Sequence, residues 1–113
     1  MKDKLELEYR VLKILEQQPN LTQRKLANEL GVSLGKTHYL LRSLIAVGWV
    51  KLDNFKRSDN KLGYAYFLTP AGFSEKAELT LKFLKRKIQQ HKDLQLEIKQ
   101  LDEELKQLQK SAK

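Results

Sequence analysis

From residue 4 to 17, apolar positions recur every three or four residues, with Leu5, Tyr9, Leu12 and Leu15 on one stripe and Leu7, Val11 and Ile14 beside it. Only a helix gathers that spacing on one side. Asp3 and Glu6 are separated as in a capping box, and Pro19 stops the helix after Gln18. A second helix begins at Thr22, whose hydroxyl can accept a backbone N–H, with Leu21 and Leu26 placed as a hydrophobic staple. It ends at Gly31, and Gly31-Val32-Ser33 forms a three-residue turn: a glycine for positive φ, a valine to bury and a serine to cap the next helix. A third helix runs from Leu34 to about Val47, turning Thr37, Leu40, Leu41 and Leu44 inward, with Gly48 as its C-terminal cap.

After Gly48 the period becomes two. Val50 and Leu52 alternate with Lys51 and Asp53, and Tyr64, Tyr66 and Leu68 alternate with Ala65 and Phe67, which predicts two strands. The polar run from Arg57 to Gly63 makes them a hairpin with a basic tip. Thr69-Pro70 then caps a last helix, and no further proline interrupts it. Its apolar positions are Ala77, Leu81, Leu84 and Ile88, then Leu94, Ile98, Leu101, Leu105 and Leu108, spaced alternately four and three apart in each set. Near His91 the two registers are offset by three residues, the mark of a stammer or of a handover from packing on a domain to pairing with another chain.

The predicted fold is mainly α with a small β-hairpin: a winged helix-turn-helix over residues 1–69, followed by a long C-terminal dimerisation helix, a coiled coil, over 70–113.

Charge changes the picture by its distribution. The chain carries +8 overall, yet its first 20 residues hold as many acidic as basic groups. The second and third helices carry Arg24, Lys25, Lys36 and Arg42 against Glu29, and the hairpin adds Lys51, Lys56, Arg57 and Lys61 against Asp53 and Asp59. An anionic partner therefore belongs at the middle of the chain. With no cysteine and only His38 and His91, the sequence offers no metal cluster, no activated nucleophile and no phosphate-cradling glycine loop, so neither an enzyme nor a cofactor is expected. It has no apolar run of about 18 residues to cross a bilayer, and no signal-peptide stretch at its start. A cytoplasmic protein with no membrane partner is the expectation.

The candidate site is set by where the cations fall. A helix N-terminus is already electropositive and favours acidic side chains, but the second helix begins with Thr22, Gln23, Arg24 and Lys25 and the third carries Lys36 in its first turn. A phosphate against those N–H groups makes such an arrangement favourable. On the third helix Gly35, Lys36, His38, Tyr39 and Arg42 face away from the apolar stripe, preceded by Ser33 and Leu34. An α-helix fits the major groove of B-DNA, where Lys and Arg donate to guanine, so these seven residues are the base-reading candidates and double-stranded DNA the expected partner. Lys56, Arg57 and Lys61 of the wing are placed for phosphate or minor-groove contact. Trp49, Phe55, Tyr64, Tyr66 and Phe67 are expected in the core.

Through Gly31-Val32-Ser33, Leu41, Leu44, Gly48-Trp49-Val50 and Leu68-Thr69-Pro70-Ala71-Gly72, the chain resembles the winged-helix regulators of the MarR family. It is most similar to the short regulators associated with exopolysaccharide gene clusters, whose pattern matches Glu8-Tyr9-Arg10-Val11-Leu12, Gly31 through Lys36, and Phe83-Leu84-Lys85-Arg86-Lys87. The resemblance implies sequence-specific DNA binding as a dimer and control of polysaccharide genes. The larger family members dimerise through helices at both ends and often bind phenolic effectors between them; this sequence leaves no room for that N-terminal helix, so no small-molecule effector is expected.

A homodimer through Ala77, Leu81, Leu84, Ile88, Leu94, Ile98, Leu101, Leu105 and Leu108 would cover their apolar seam and set two recognition helices for half-sites about 34 Å apart. Glu97, Asp102 and Glu104 flank that seam and would face like charge in a homodimer, at roughly a few tenths of a kcal/mol each. The competing classes are a protein-interaction adaptor using the same seam, and a non-specific RNA or single-strand binder, which requires exposed stacking aromatics.

Overall fold

The computed structural model describes residues 4–56 and 62–112. The elements run in the order α1 (Lys4–Gln17), α2 (Gln23–Leu30), α3 (Leu34–Ala46), β1 (Val50–Lys56), β2 (Leu62–Leu68) and α4 (Pro70–Ser111), the expected mainly helical fold with one antiparallel hairpin. Asp3, Arg57 and Lys61 lie outside the described residues, as does the side chain of Lys56. Among the described residues no helix is long and apolar enough to cross a membrane.

A first compact unit spans Met1–Thr80. Its core is built by Leu7, Val11, Leu12 and Leu15 of α1, Leu26 and Leu30 of α2, Leu40, Leu41 and Leu44 of α3, Val50 of β1 and Leu79 of α4. Leu5 and Tyr9 are only half-buried, whereas Leu7 and Val11 are among the best-covered residues. The buried stripe is thus turned toward the residues expected beside it, because α1 packs against α2, α3 and β2 together.

The helix ends reflect the chemistry of their glycines. Gly31 (φ 70°) and Gly48 (φ 85°) take left-handed conformations. After α2 the Gly31 N–H reaches the Asn28 carbonyl at 3.2 Å and the Val32 N–H that of Ala27 at 3.2 Å; after α3 the Gly48 N–H reaches Ile45 at 3.0 Å and Trp49 N–H reaches Leu44 at 3.0 Å. Both patterns satisfy carbonyls that a helix leaves open and turn the chain sharply.

In the hairpin Val50 pairs with Leu68, Leu52 with Tyr66 and Asn54 with Tyr64. Strict alternation of buried and exposed residues fails here. Val50, Tyr66 and Leu68 are covered, but Leu52 is 47% and Tyr64 65% exposed, while Ala65 on the opposite face is buried. Cover comes from the helices at the base of the hairpin and is lost along the strands. Tyr66 N–H donates to the Pro19 carbonyl at 2.9 Å, which ties the free edge of β2 to the loop after α1. The aromatics divide accordingly: Tyr66 is core, Trp49 half-buried, and Phe67 and Tyr64 are exposed, contrary to the expectation that all were core; the Phe55 side chain lies outside the described residues.

The start of α4 closes this unit. Thr69 caps the helix by accepting from Gly72 N–H at 3.0 Å, and its own hydroxyl donates to the Gly48 carbonyl, while Thr69 N–H donates to the Trp49 carbonyl at 3.0 Å. Lys76 forms an ion pair with Glu16 of α1, and Gly72 and Leu79 are buried. Ala77 is exposed. The second compact unit, Leu81–Lys113, consists of the rest of α4. Its described side chains are exposed apart from a half-buried Phe83, over which the Arg86 guanidinium lies 5.1 Å from the ring centre.

A Cβ on Gly72 would collide with the Trp49 carbonyl oxygen. Alanine for glycine in a helix ordinarily adds up to about 1 kcal/mol. Gly72→Ala is therefore expected to reverse the usual sign and cost roughly 1–3 kcal/mol in urea unfolding; an unchanged or raised midpoint would mean that the close approach is not made.

Candidate nucleic-acid interface

Both helices of the motif are capped as their sequences require. Thr22 and Ser33 are in extended conformation; the Thr22 hydroxyl accepts from Lys25 N–H at 3.2 Å and the Ser33 hydroxyl from Lys36 N–H at 3.1 Å. Arg10 of α1 closes the other end of α2, donating from Nη1 to the Leu30 carbonyl at 3.1 Å and from Nη2 to the Glu29 carbonyl at 2.6 Å. This clamp was not legible in the sequence, where Arg10 is one polar residue on a helix whose apolar stripe carries the signal. The donors offset carbonyls at the negative end of α2 and fix α2 on α1.

The two faces of α3 separate cleanly. Thr37, Leu40, Leu41 and Leu44 are buried, Thr37 completely, with its hydroxyl donating back to the Ser33 carbonyl at 3.0 Å. Ser33, Leu34, Gly35, Lys36, His38, Tyr39 and Arg42 are all exposed, Tyr39 by 62%. A Cβ on Gly35 would meet nothing within 4 Å, so the helix surface is open there. Thr22, Arg24 and Lys25 are also exposed. Among the described residues, the side chains of Arg24, Lys25, Lys36 and Arg42 make no ion pair with one another or with an acidic group. Their charge is therefore not neutralised within the described protein.

Gln23 is different. Its Nε2 donates to the Tyr66 hydroxyl at 2.8 Å, and its Oε1 lies 3.3 Å from Nδ1 of His38. One half-buried amide thus joins the start of α2, the second wing strand and the outer face of α3. Sequence reasoning placed Gln23 with the phosphate-facing residues and Tyr66 in the core; it had no signal for a link across 43 residues. A shallow cavity of about 220 Å³ beside this link is lined by Asn20, Leu21, Thr22, Gln23, Tyr64 and Tyr66. Among the described residues no group of three or more His, Cys, Asp or Glu could hold a metal ion.

Residues 4–51 match the family model described as winged helix-turn-helix DNA-binding. The fold is a winged helix-turn-helix. Among solved structures, the chain is similar to a PadR-like transcriptional regulator of Bacillus cereus (TM-score 0.70, 20% identity, covering 79% of this chain and 91% of that one). It is also similar to a Streptococcus transcriptional regulator (0.64, 21%, 79% and 94%) and to the adhesin competence repressor AdcR of Streptococcus pyogenes (0.61, 23%, 79% and 64%). At these identities the likeness is one of fold. No curated protein sequence matches the chain.

Replacing Gln23 by alanine removes two hydrogen bonds but leaves the capping hydroxyl of Thr22 in place. The expected cost is about 1–2 kcal/mol of stability, with a shift in the NMR signals of the His38 ring nitrogens. If the ring signals do not move, the link is not made in solution.

Proposed function

We propose that the chain is a transcriptional regulator that binds double-stranded DNA in a sequence-specific manner and acts as a homodimer. The observation that carries this reading is the division of α3, with one face wholly buried and the opposite face exposing Lys36, His38, Tyr39 and Arg42. In the reading, α3 lies in the major groove, Lys36 and Arg42 donate to guanine edges, and His38 and Tyr39 bond to a base edge or phosphate. Thr22, Arg24 and Lys25 at the start of α2, with the N–H groups of that turn, hold the phosphate backbone. Lys56, Arg57 and Lys61 of the wing add flanking contacts.

The dimer is supported by the exposed apolar positions of α4, which include Leu81, Leu84, Leu94 and Leu101 and would remain in water in a lone chain. Resemblance to the MarR family supports placing the protein with that group, exopolysaccharide genes being the targets suggested by the matching sequence pattern. A regulator of this kind acts on cytoplasmic DNA.

Binding to duplexes carrying the preferred site, followed by fluorescence anisotropy, tests the assignment. Arg42→Ala is expected to cost about 1–3 kcal/mol and to relax preference at one base position, whereas Lys25→Ala should weaken binding to all sequences alike and lower the salt slope by about one. If Arg42→Ala leaves affinity and preference unchanged, α3 is not the reading element.

A further inference from the structure

The second compact unit is a helix with no covered face of its own. Leu81, Leu84, Ile88, Leu94, Ile98, Leu101, Leu105 and Leu108 are between 47% and 64% exposed, and His91 continues their line between Ile88 and Leu94. In heptad terms the a and d positions are Leu81, Leu84, Ile88 and His91 before the stammer and Leu94, Ile98, Leu101, Leu105 and Leu108 after it. Either side of the centre the spacing reads three, four, three: Leu81 to His91 in one direction and Leu108 to Ile98 in the other. Reversing a second helix therefore aligns Leu81 with Leu108, Leu84 with Leu105, Ile88 with Leu101 and His91 with Ile98, every layer joining an a position to a d position, and sets Leu94 beside its own copy.

Flanking charges decide between this arrangement and a parallel one. Before the stammer the positions beside the seam carry Lys85, Lys87 and Lys92; after it they carry Glu97, Asp102 and Glu104. A parallel, in-register pair places Lys87 against Lys92 and Glu97 against Asp102, like charge on like charge. In an antiparallel pair, g positions meet g and e positions meet e, so Lys87 faces Glu104 and Lys85 faces Asp102, each twice by symmetry. Opposite charges at these positions set the orientation of a coiled coil. Asp102 holds an exposed pair with Lys106 at 3.1 Å, one turn along its own helix, through only one of its carboxylate oxygens.

We propose that the segment Leu81–Leu108 of α4 pairs antiparallel with the same segment of a second copy of this chain, its two-fold axis beside Leu94, so that the basic half of each helix lies along the acidic half of the other. This deepens, and rests on, the homodimer in the proposed function. His91 at the middle of the seam is a polar residue in an otherwise apolar line, a feature that specifies register at some cost in stability.

The test uses two full-length variants, Lys85→Glu with Lys87→Glu, and Asp102→Lys with Glu104→Lys, in sedimentation equilibrium. Each alone is expected to dimerise about tenfold or more weakly, and an equal mixture to form a heterodimer of native strength, since all four pairs become complementary again. Parallel pairing predicts the reverse: the first variant relieves the contact between Lys87 and Lys92 and dimerises more tightly. Because the chain has no native cysteine, Leu84→Cys and Leu105→Cys chains give a second reading: a disulfide on mixing supports the proposal, and one within either variant alone overturns it. A native chain that dimerises in parallel overturns only this inference; one that stays monomeric at micromolar concentration overturns the homodimer too, and neither result bears on DNA binding by α3.

Discussion

A short helix on a small domain is held in place by the face it buries, and only the opposite face is left for a partner. In α3 the buried face is Thr37, Leu40, Leu41 and Leu44, and DNA recognition as proposed for this protein depends on that choice of four positions. They fix the rotation of the helix about its axis and so aim Lys36, His38, Tyr39 and Arg42 at solvent together. The surrounding devices defend the same rotation: Ser33 caps the first turn, the Gly48 turn satisfies the last carbonyls, Arg10 anchors α2, and Gly72 lets α4 close against Trp49.

The electrostatics run against stability in the isolated protein and in favour of an anion. Arg24, Lys25 and Lys36 lie in the first turns of α2 and α3, neither of which has an acidic residue there. Positive charge at the positive end of a helix dipole is unfavourable by a few tenths of a kcal/mol at an exposed site, and the sign reverses when a phosphate binds. A surface evolved only for solubility has no reason to concentrate its cations at those turns.

Much of this was legible in the sequence because its signals are local. The caps at Thr22 and Ser33, the glycines at 31 and 48 and the two faces of α3 each arise from spacing or from the needs of a few neighbouring residues, and they stand as expected. The features that failed to show depended on contacts between distant parts of the chain. Alternation in the strands assumed uniform cover, whereas only the base of the hairpin is covered, so Leu52 and Tyr64 are exposed. The Tyr66–Gln23–His38 link and the Arg10 clamp join elements far apart in sequence. Leu79 is buried and Ala77 is not, because the first turns of α4 pack within the domain through Gly72 and Leu79.

The seam of α4 is apolar with segregated flanking charge, and the outer face of α3 is basic and polar. Selection of bound sequences from a random duplex library by the full-length protein is the most direct measurement of the central claim. Enrichment of a defined sequence whose most constrained positions are guanines is expected, with preference at one of them relaxed by Arg42→Ala; recovery of duplexes with no sequence in common would contradict it.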